Sequence, residues 1–253
     1  MKKIIKFLCL VLAFAMLALS LASCTASAGE RVAAAMLKAV IAKKTDCTAS
    51  LDVTLTSGGV TTHLPINAVI KKDSSNAYNP LAYIDVSGTG VKTTAYYKDG
   101  YLYSNVYGVK TKTQMSYEDM EKTFSNIADI TSVFSAKKDN IDDSFVITEN
   151  ADGSLTVRMT VTKQEFAEKL ADFSGALASG LGENGTVEIS DTVFELTVDK
   201  TNSITSVKAD MEITVTYGGN VTSISYSMDF RYNPIGEGFK VPEPANIGAY
   251  KAA

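Results

Sequence analysis

From Cys47 onward the chain repeatedly places an apolar residue at every second position, and that period confines it to strands with one greasy face. Cys47, Ala49, Leu51, Val53 and Leu55 alternate with Thr48, Ser50, Asp52, Thr54 and Thr56. After Ser57-Gly58-Gly59 the alternation returns through Val60, Thr62, Leu64, Ile66, Ala68 and Ile70. Near the end of the chain it recurs twice. Val207, Ala209, Met211, Ile213, Val215 and Tyr217 alternate with Lys208, Asp210, Glu212, Thr214 and Thr216. Beyond Gly218-Gly219-Asn220, the residues Ile224, Tyr226, Met228, Phe230 and Tyr232 alternate with Ser223, Ser225, Ser227, Asp229 and Arg231. Strands so patterned bury one face and wet the other, as antiparallel sheets do.

Shorter stretches fill the middle. Residues 81–86, 91–98 and 109–115 read as strands, and a hairpin joins 145–148 to 155–161 around Ala151-Asp152-Gly153. Asp99-Gly100 predicts a two-residue turn. Its register sets Tyr96 opposite Tyr103, on the face of Tyr101 and Tyr107, with Tyr97 and Leu102 on the other face. Phe194, Leu196 and Val198 have the opposite parity to Val187 and Ile189, and a bulge near Ser190-Asp191 reconciles them. Pro65 cannot donate to a ladder, so its strand is expected to be an edge or bulged there. The tail from Asn233, with Pro234, Pro242 and Pro244, is expected to lie as a loop on the domain.

Three stretches carry the longer helical period. Residues 30–44 place Val32, Met36 and Val40 on one side, with Leu37 and Ile41 beside them. Ser116-Tyr117-Glu118-Asp119 has the pattern of a capping box. It opens a helix to about Phe134 with Met120, Phe124, Ile127 and Ile130 aligned. Thr162-Lys163-Gln164-Glu165 opens a third, with Phe166, Leu170, Phe173, Leu177 and Leu181 aligned and glycines at 180, 182 and 185 to end it. The fold class is therefore α+β. About eleven strands form a single antiparallel sheet, twisted enough to curl into a half-barrel, with three helices covering its concave side. The helices can fill the hollow or leave an apolar cavity, and the pattern admits both.

The amino end is of another kind. Lys2, Lys3 and Lys6 precede an apolar run from Phe7 to Leu21 without an acid. The run is about 15 residues, the length of an export signal, whereas a membrane-spanning helix needs about 20. Leu21-Ala22-Ser23-Cys24 resembles the lipobox of bacterial lipoproteins. That resemblance implies cleavage before Cys24, a diacylglycerol thioether on its sulfur, and an anchored protein on the extracytoplasmic face of the cell membrane. Residues 1–23 are then the signal and 24–29 the lipidated cysteine with a short tether. Residues 30–253 form one domain with a Pro-containing tail. Two acyl chains suffice for stable anchoring, at about 0.8 kcal/mol per buried methylene.

Composition narrows the rest. Losing three lysines and no acid with the signal takes the net charge from −4 to −7. Arg31, Arg158 and Arg231 are the only arginines. An acidic, arginine-poor domain has no electrostatic basis for binding nucleic acid. Cys9 leaves with the signal and Cys24 is alkylated, so Cys47 is expected to be a buried, unpaired thiol. His63 is the single histidine and sits on a polar strand face. Ser135 and Lys138 form an isolated S-x-x-K, and Asp142-Asp143 lie in a charged loop. No catalytic residue, metal site or cofactor is assigned, and the chain is expected not to be an enzyme.

The lipobox, a helix, paired strands, the Lys98-Asp99-Gly100-Tyr101-Leu102-Tyr103 hairpin, a capped helix and long closing hairpins together resemble the bacterial half-barrel lipoproteins. These are proteins of the LppX/LprG type, whose fold the lipoprotein carrier LolA shares. The resemblance implies an acyl-chain pocket between sheet and helices. Candidate linings are Met36, Val40, Met120, Phe124, Phe166, Phe173, Met211, Ile213, Tyr226, Met228 and Phe230, with plain core packing as the alternative for each. The function expected is binding or carriage of an apolar ligand, a lipid first of all. The alternative is a filled envelope domain that recognises a protein or cell-wall partner, for which the tyrosine face at Tyr96, Tyr101, Tyr103 and Tyr107 is the candidate surface.

Overall fold

A computed structural model describes residues 27–121, 145–164 and 185–252. Among them, helix α1 (Ala28–Ile41) precedes thirteen strands. These are β1 (Lys44–Ser57), β2 (Val60–Asp73), β3 (Leu81–Gly88), β4 (Val91–Lys98), β5 (Tyr101–Val106) and β6 (Val109–Gln114), then β7 (Phe145–Glu149) and β8 (Leu155–Val161). They are followed by β9 (Gly185–Ile189), β10 (Thr192–Val198), β11 (Ile204–Tyr217), β12 (Asn220–Tyr232) and β13 (Lys251–Ala252). All join one open, curved sheet in the order β13-β6-β5-β4-β3-β2-β1-β12-β11-β10-β8-β7, with β9 also on β11. Every pairing is antiparallel except that of β13 with β6.

The turns follow from residues that tolerate positive φ. Gly58-Gly59 and Gly218-Gly219 close β1–β2 and β11–β12 as two-residue loops with φ of 57° and 79°, and 56° and 81°. Ser57 pairs with Thr222 across β1 and β12, so both turns lie side by side at one end of the sheet.

The thirteen strands reconcile with the expected eleven through one irregularity and one addition. Ile189 pairs with Ile213 and Val193 with Asp210, so one strand advances four residues while its partner advances three. This is the bulge at Ser190-Asp191, and it divides one expected strand into β9 and β10. The Ser190 hydroxyl accepts from the Glu212 backbone N–H at 3.0 Å, so a side chain replaces a ladder acceptor. The addition is β13, in the tail. Pro65 lies where β3 ends: Ile66 faces Gly88, and the Pro65 carbonyl takes the Thr89 N–H at 3.2 Å. From there to Val60 the strand has no partner on that side among the described residues, so the missing N–H of proline leaves no gap in a ladder.

Helix α1 starts two residues earlier than the spacing predicts, because Ser27 and Glu30 form a capping box. Their reciprocal bonds are 3.3 and 2.6 Å. The helix ends at Ile41, since Ala42 is extended and Lys44 already pairs with Asp73. A second helix begins at residues 117–121, with the Ser116 hydroxyl accepting from the Asp119 N–H at 3.1 Å. Residues 163–164 are also helical, and the remainder of the second and third expected helices lies outside the described residues.

The core has two centres. Val32 and Ala35 of α1 pack on Leu155, Val157, Met159, Phe194, Leu196, Val198, Val207 and Ala209. Met120, in the first turn of the second helix, packs with Cys47, Ile70, Ala82, Ile84 and Tyr97. Phe230 and Tyr232 touch both groups and join them. Arg31 fixes α1 to the sheet. Its guanidinium donates to the Gly153 carbonyl at 2.8 Å, the Asp199 carbonyl at 3.2 Å and Asn202 Oδ1 at 3.1 Å, tying the helix to two turns at once. Arg31→Ala leaves these half-buried acceptors without their donor. It is expected to cost about 2 kcal/mol, read as a fall of about 5 °C in Tm; a Tm within about 1 °C of wild type would contradict the assignment.

Candidate functional site

Register shows that the expected inward residues share one face across the whole sheet. Phe145, Met159, Phe194, Ala209, Met228, Leu51 and Ile66 stand opposite one another in sequence from β7 to β2. Towards the Gly-Gly turns the four central strands outrun β3. There the same face presents Met211, Tyr226, Val53 and Leu64 in one row, and Ile189, Ile213, Ile224 and Leu55 in the next. Ile213 is 4% exposed and the others are half-buried. None of these distal residues belongs to either core cluster among the described residues. Thr192 adjoins this region: its side chain is wholly buried and its hydroxyl has no hydrogen-bond partner among the described residues.

The candidate linings therefore separate. Met36, Met228 and Phe230 pack against the first cluster and Met120 lies in the second. Val40 is 62% exposed at the end of α1, beside exposed Leu37 and Ile41, and lines nothing among the described residues. Met211, Ile213 and Tyr226 fall together on the distal apolar face. Phe124, Phe166 and Phe173 lie outside the described residues, as do Leu21, Ala22, Ser23 and Cys24.

The opposite face is polar. A groove of about 450 Å³ beside the bulge is lined by Asp52, Thr54, Ser190, Asp210, Glu212, Ser225 and Ser227, and Met211 and Tyr226 border it as well. A smaller one of about 340 Å³ lies at Arg158, Glu195, Lys208 and Asp210. Among the described residues no group of three metal-ligating side chains is assembled. The His63 ring bonds the Thr54 hydroxyl across the strands at 3.0 Å. Cys47 is 1% exposed, and burial pushes its thiol up to about 12, which keeps it neutral and unreactive. Ser135, Lys138 and Asp142-Asp143 lie outside the described residues.

The tyrosine face has an occupant that the sequence did not disclose. Asp46, Lys71, Tyr83, Tyr96, Tyr103 and Lys112 stand opposite one another from β1 to β6, on the side away from the core. Residues 233–252 run along this row. Asn233 bonds the Asp46 carbonyl at 2.8 Å and its carboxylate at 3.1 Å. Lys44 and Lys71 sit 5.7 Å from the Phe239 ring, and Glu243 pairs with Lys98 at 3.1 Å. The Tyr250 ring meets Tyr103 edge-on at 5.6 Å, under Lys110, and β13 then pairs with Thr111 and Lys112 of β6. Each such aromatic or cation–π contact contributes about 1 kcal/mol. The expected Tyr96–Tyr103 pair is present at 6.3 Å, and both rings are buried. The strap was hidden in the sequence because Tyr250-Lys251-Ala252 is too short to show a period.

Burial, then the carboxylates of Glu243 and Asp99, push the Tyr96 phenol up to about 12. Both this group and the Cys47 thiol are acids whose folded values exceed their ordinary ones of 10.0 and 9.0. The unfolded chain therefore ionises first on raising the pH. Stability from the two neutral groups is complete below about pH 9 and is lost towards pH 12. Urea midpoints are expected to fall steadily over that window, and to fall less in Tyr96→Phe. A flat profile would contradict the burial of both groups.

No family model matches the chain, and no curated protein does. Among solved structures, a DUF1329 family protein from Desulfovibrio piger aligns over 85% of this chain and 96% of its own, with 13% identity and a TM-score of 0.25. A LolA superfamily protein from Nitrosomonas europaea aligns over 84% and 96%, with 8% identity and a TM-score of 0.22. An outer membrane lipoprotein-sorting protein domain from Vibrio parahaemolyticus aligns over 85% and 95%, with 11% identity and a TM-score of 0.24. At TM-scores this low, no conclusion about this chain rests on them.

Proposed function

We propose that this chain is a lipoprotein, anchored through Cys24 on the extracytoplasmic face of the cell membrane, which binds a lipid acyl chain against the distal apolar face of its sheet. One observation carries the ligand: the rows of Met211, Tyr226, Val53 and Leu64 and of Ile189, Ile213, Ile224 and Leu55 face the core side yet, among the described residues, join neither core cluster. An acyl chain is a fitting occupant, because each methylene laid on such a face contributes about 0.8 kcal/mol. The Thr192 hydroxyl beside those rows, without a partner among the described residues, offers a hydrogen bond to the ligand's polar end. The anchor rests on Leu21-Ala22-Ser23-Cys24 and the basic, apolar segment before it. Helix α1 begins at Ala28, so only three residues separate Cys24 from it. At about 3.5 Å per extended residue, the domain is held within about 15 Å of its lipids.

Two experiments test the two halves. Membrane fractionation of Cys24→Ala is expected to move the protein from the membrane to the soluble fraction, and unchanged membrane retention would refute the anchor. Native mass spectrometry of the purified protein is expected to show a lipid adduct. Ile224→Glu, on the half-buried distal row, is expected to lose it; an adduct retained in Ile224→Glu, or none in the wild type, would refute the ligand site.

A further inference from the structure

The end of the sheet that carries both Gly-Gly turns is uncharged on its four long strands. Residues 53–70 and 213–228 hold no lysine, arginine, aspartate or glutamate, in a chain that is 21% charged overall. The neighbouring β9 brings one charge, Glu188, opposite Thr214. Apolar side chains project from this end all the same: Val60 is 67%, Val221 56% and Tyr217 54% exposed. Val187, Val215, Thr222, Ser57 and Val60 form the row beyond that of Ile224, and Tyr217 stands one row further out. Val221, opposite Thr216, is on the other face of the same tip.

We propose that the two hairpin tips are a membrane-contact site, entering the head-group layer of a lipid bilayer with Val60, Tyr217 and Val221. Three observations select a bilayer as the partner. Exposed valines and a tyrosine without charged neighbours suit the layer in which tyrosine is enriched and apolar side chains are buried. The hydroxyls of the tips are paired with one another, Thr222 donating to Ser57 at 3.0 Å and Thr56 meeting Thr61 at 3.2 Å, so leaving bulk water costs them little. The tips are also the open end of the distal apolar rows, so a lipid leaving the bilayer meets them first; this third support rests on the acyl-chain reading of those rows. Insertion is shallow. From Val60 to Pro65, β2 has an edge without a strand partner among the described residues, and that backbone needs water. Helix α1 precedes the opposite end of β1, whose 14 residues span about 45 Å. With Cys24 and the tips in one bilayer, the sheet lies along the membrane.

The chain has no tryptophan, so one substitution supplies a single fluorescent probe. Val221→Trp reports the tip from the face away from the acyl rows, where a lipid bound in those rows does not reach it. Val109→Trp is the control, an exposed valine that also follows a hairpin turn but stands beside Lys110 and Lys112. Each full-length protein is bound to phosphatidylcholine vesicles whose acyl chains carry bromine, which quenches tryptophan on contact. Val221→Trp is expected to be quenched and Val109→Trp to stay bright. Adding Val60→Asp to Val221→Trp is expected to abolish the quenching, because a charge now sits on the inserting tip. No quenching of Val221→Trp, equal quenching of both probes, or quenching that survives Val60→Asp would each overturn the proposal. The readout is by site, so it is the same whether Cys24 holds the protein or the protein adds from solution. A lipid adduct without quenching at Val221→Trp would leave the ligand site standing and remove the tips' contact, and quenching without an adduct would do the reverse.

Discussion

Gly88→Ala is expected to destabilise the protein by about 3 kcal/mol, lowering Tm by roughly 8 °C. A Cβ at that position meets the Pro65 carbonyl oxygen at 2.2 Å and Ile66 Cα at 2.9 Å, both backbone atoms of the neighbouring strand. Nothing flexible can yield, so β2 and β3 must part where β2 becomes an edge. Gly90, two residues away, is the control. Its φ of +70° strains an alanine, but a Cβ there has open space around it. Gly90→Ala is therefore expected to cost only about 1 kcal/mol. Equal effects from both substitutions in urea unfolding would contradict the close approach of β2 and β3.

Leu196→Ala is expected to cost about 3 to 4 kcal/mol. Leu196 is 1% exposed and stands between Val157 and Val207, beneath α1, with partners on both sides that cannot collapse into the space. Ile84→Ala removes a comparable side chain from the second cluster. The two clusters share Phe230 and Tyr232 only at their margins, so the two losses are expected to add within about 0.5 kcal/mol. Phe230→Ala combined with either is expected to deviate from additivity. Strong coupling between Leu196 and Ile84 would mean one continuous core in place of two.

The sheet was legible because its period is local. Parity alone put Cys47 to Leu55, Ile224 to Tyr232 and Val207 to Val215 on one face, and the register agrees at every pair. The parity conflict between Ile189 and Phe194 located the bulge before any coordinate was needed, and Pro65 marked the place where a strand loses its neighbour. What remained hidden is non-local. Arg31 reads as a surface residue of a helix until two turns more than a hundred residues away deliver their carbonyls to it. Tyr250 reads as a loop residue until it reaches Tyr103. The candidate linings were chosen by apolarity, which cannot tell core from pocket. Met120 and Met36 belong to the core clusters, and Val40 points outward. Only Met211, Ile213 and Tyr226 of the described candidates lie where the sheet extends beyond both clusters.

The lipid-binding face is tested most directly by cross-linking. A fatty acid carrying a photoreactive group on its chain is bound to the full protein, irradiated, and its attachment sites are mapped by peptide mass spectrometry. Attachment is expected at Val53, Leu55, Leu64 and Ile224, residues of the two distal rows that do not border the polar groove. Attachment confined to the polar groove at Asp52, Ser225 and Ser227, or scattered over both faces of the sheet, would contradict it.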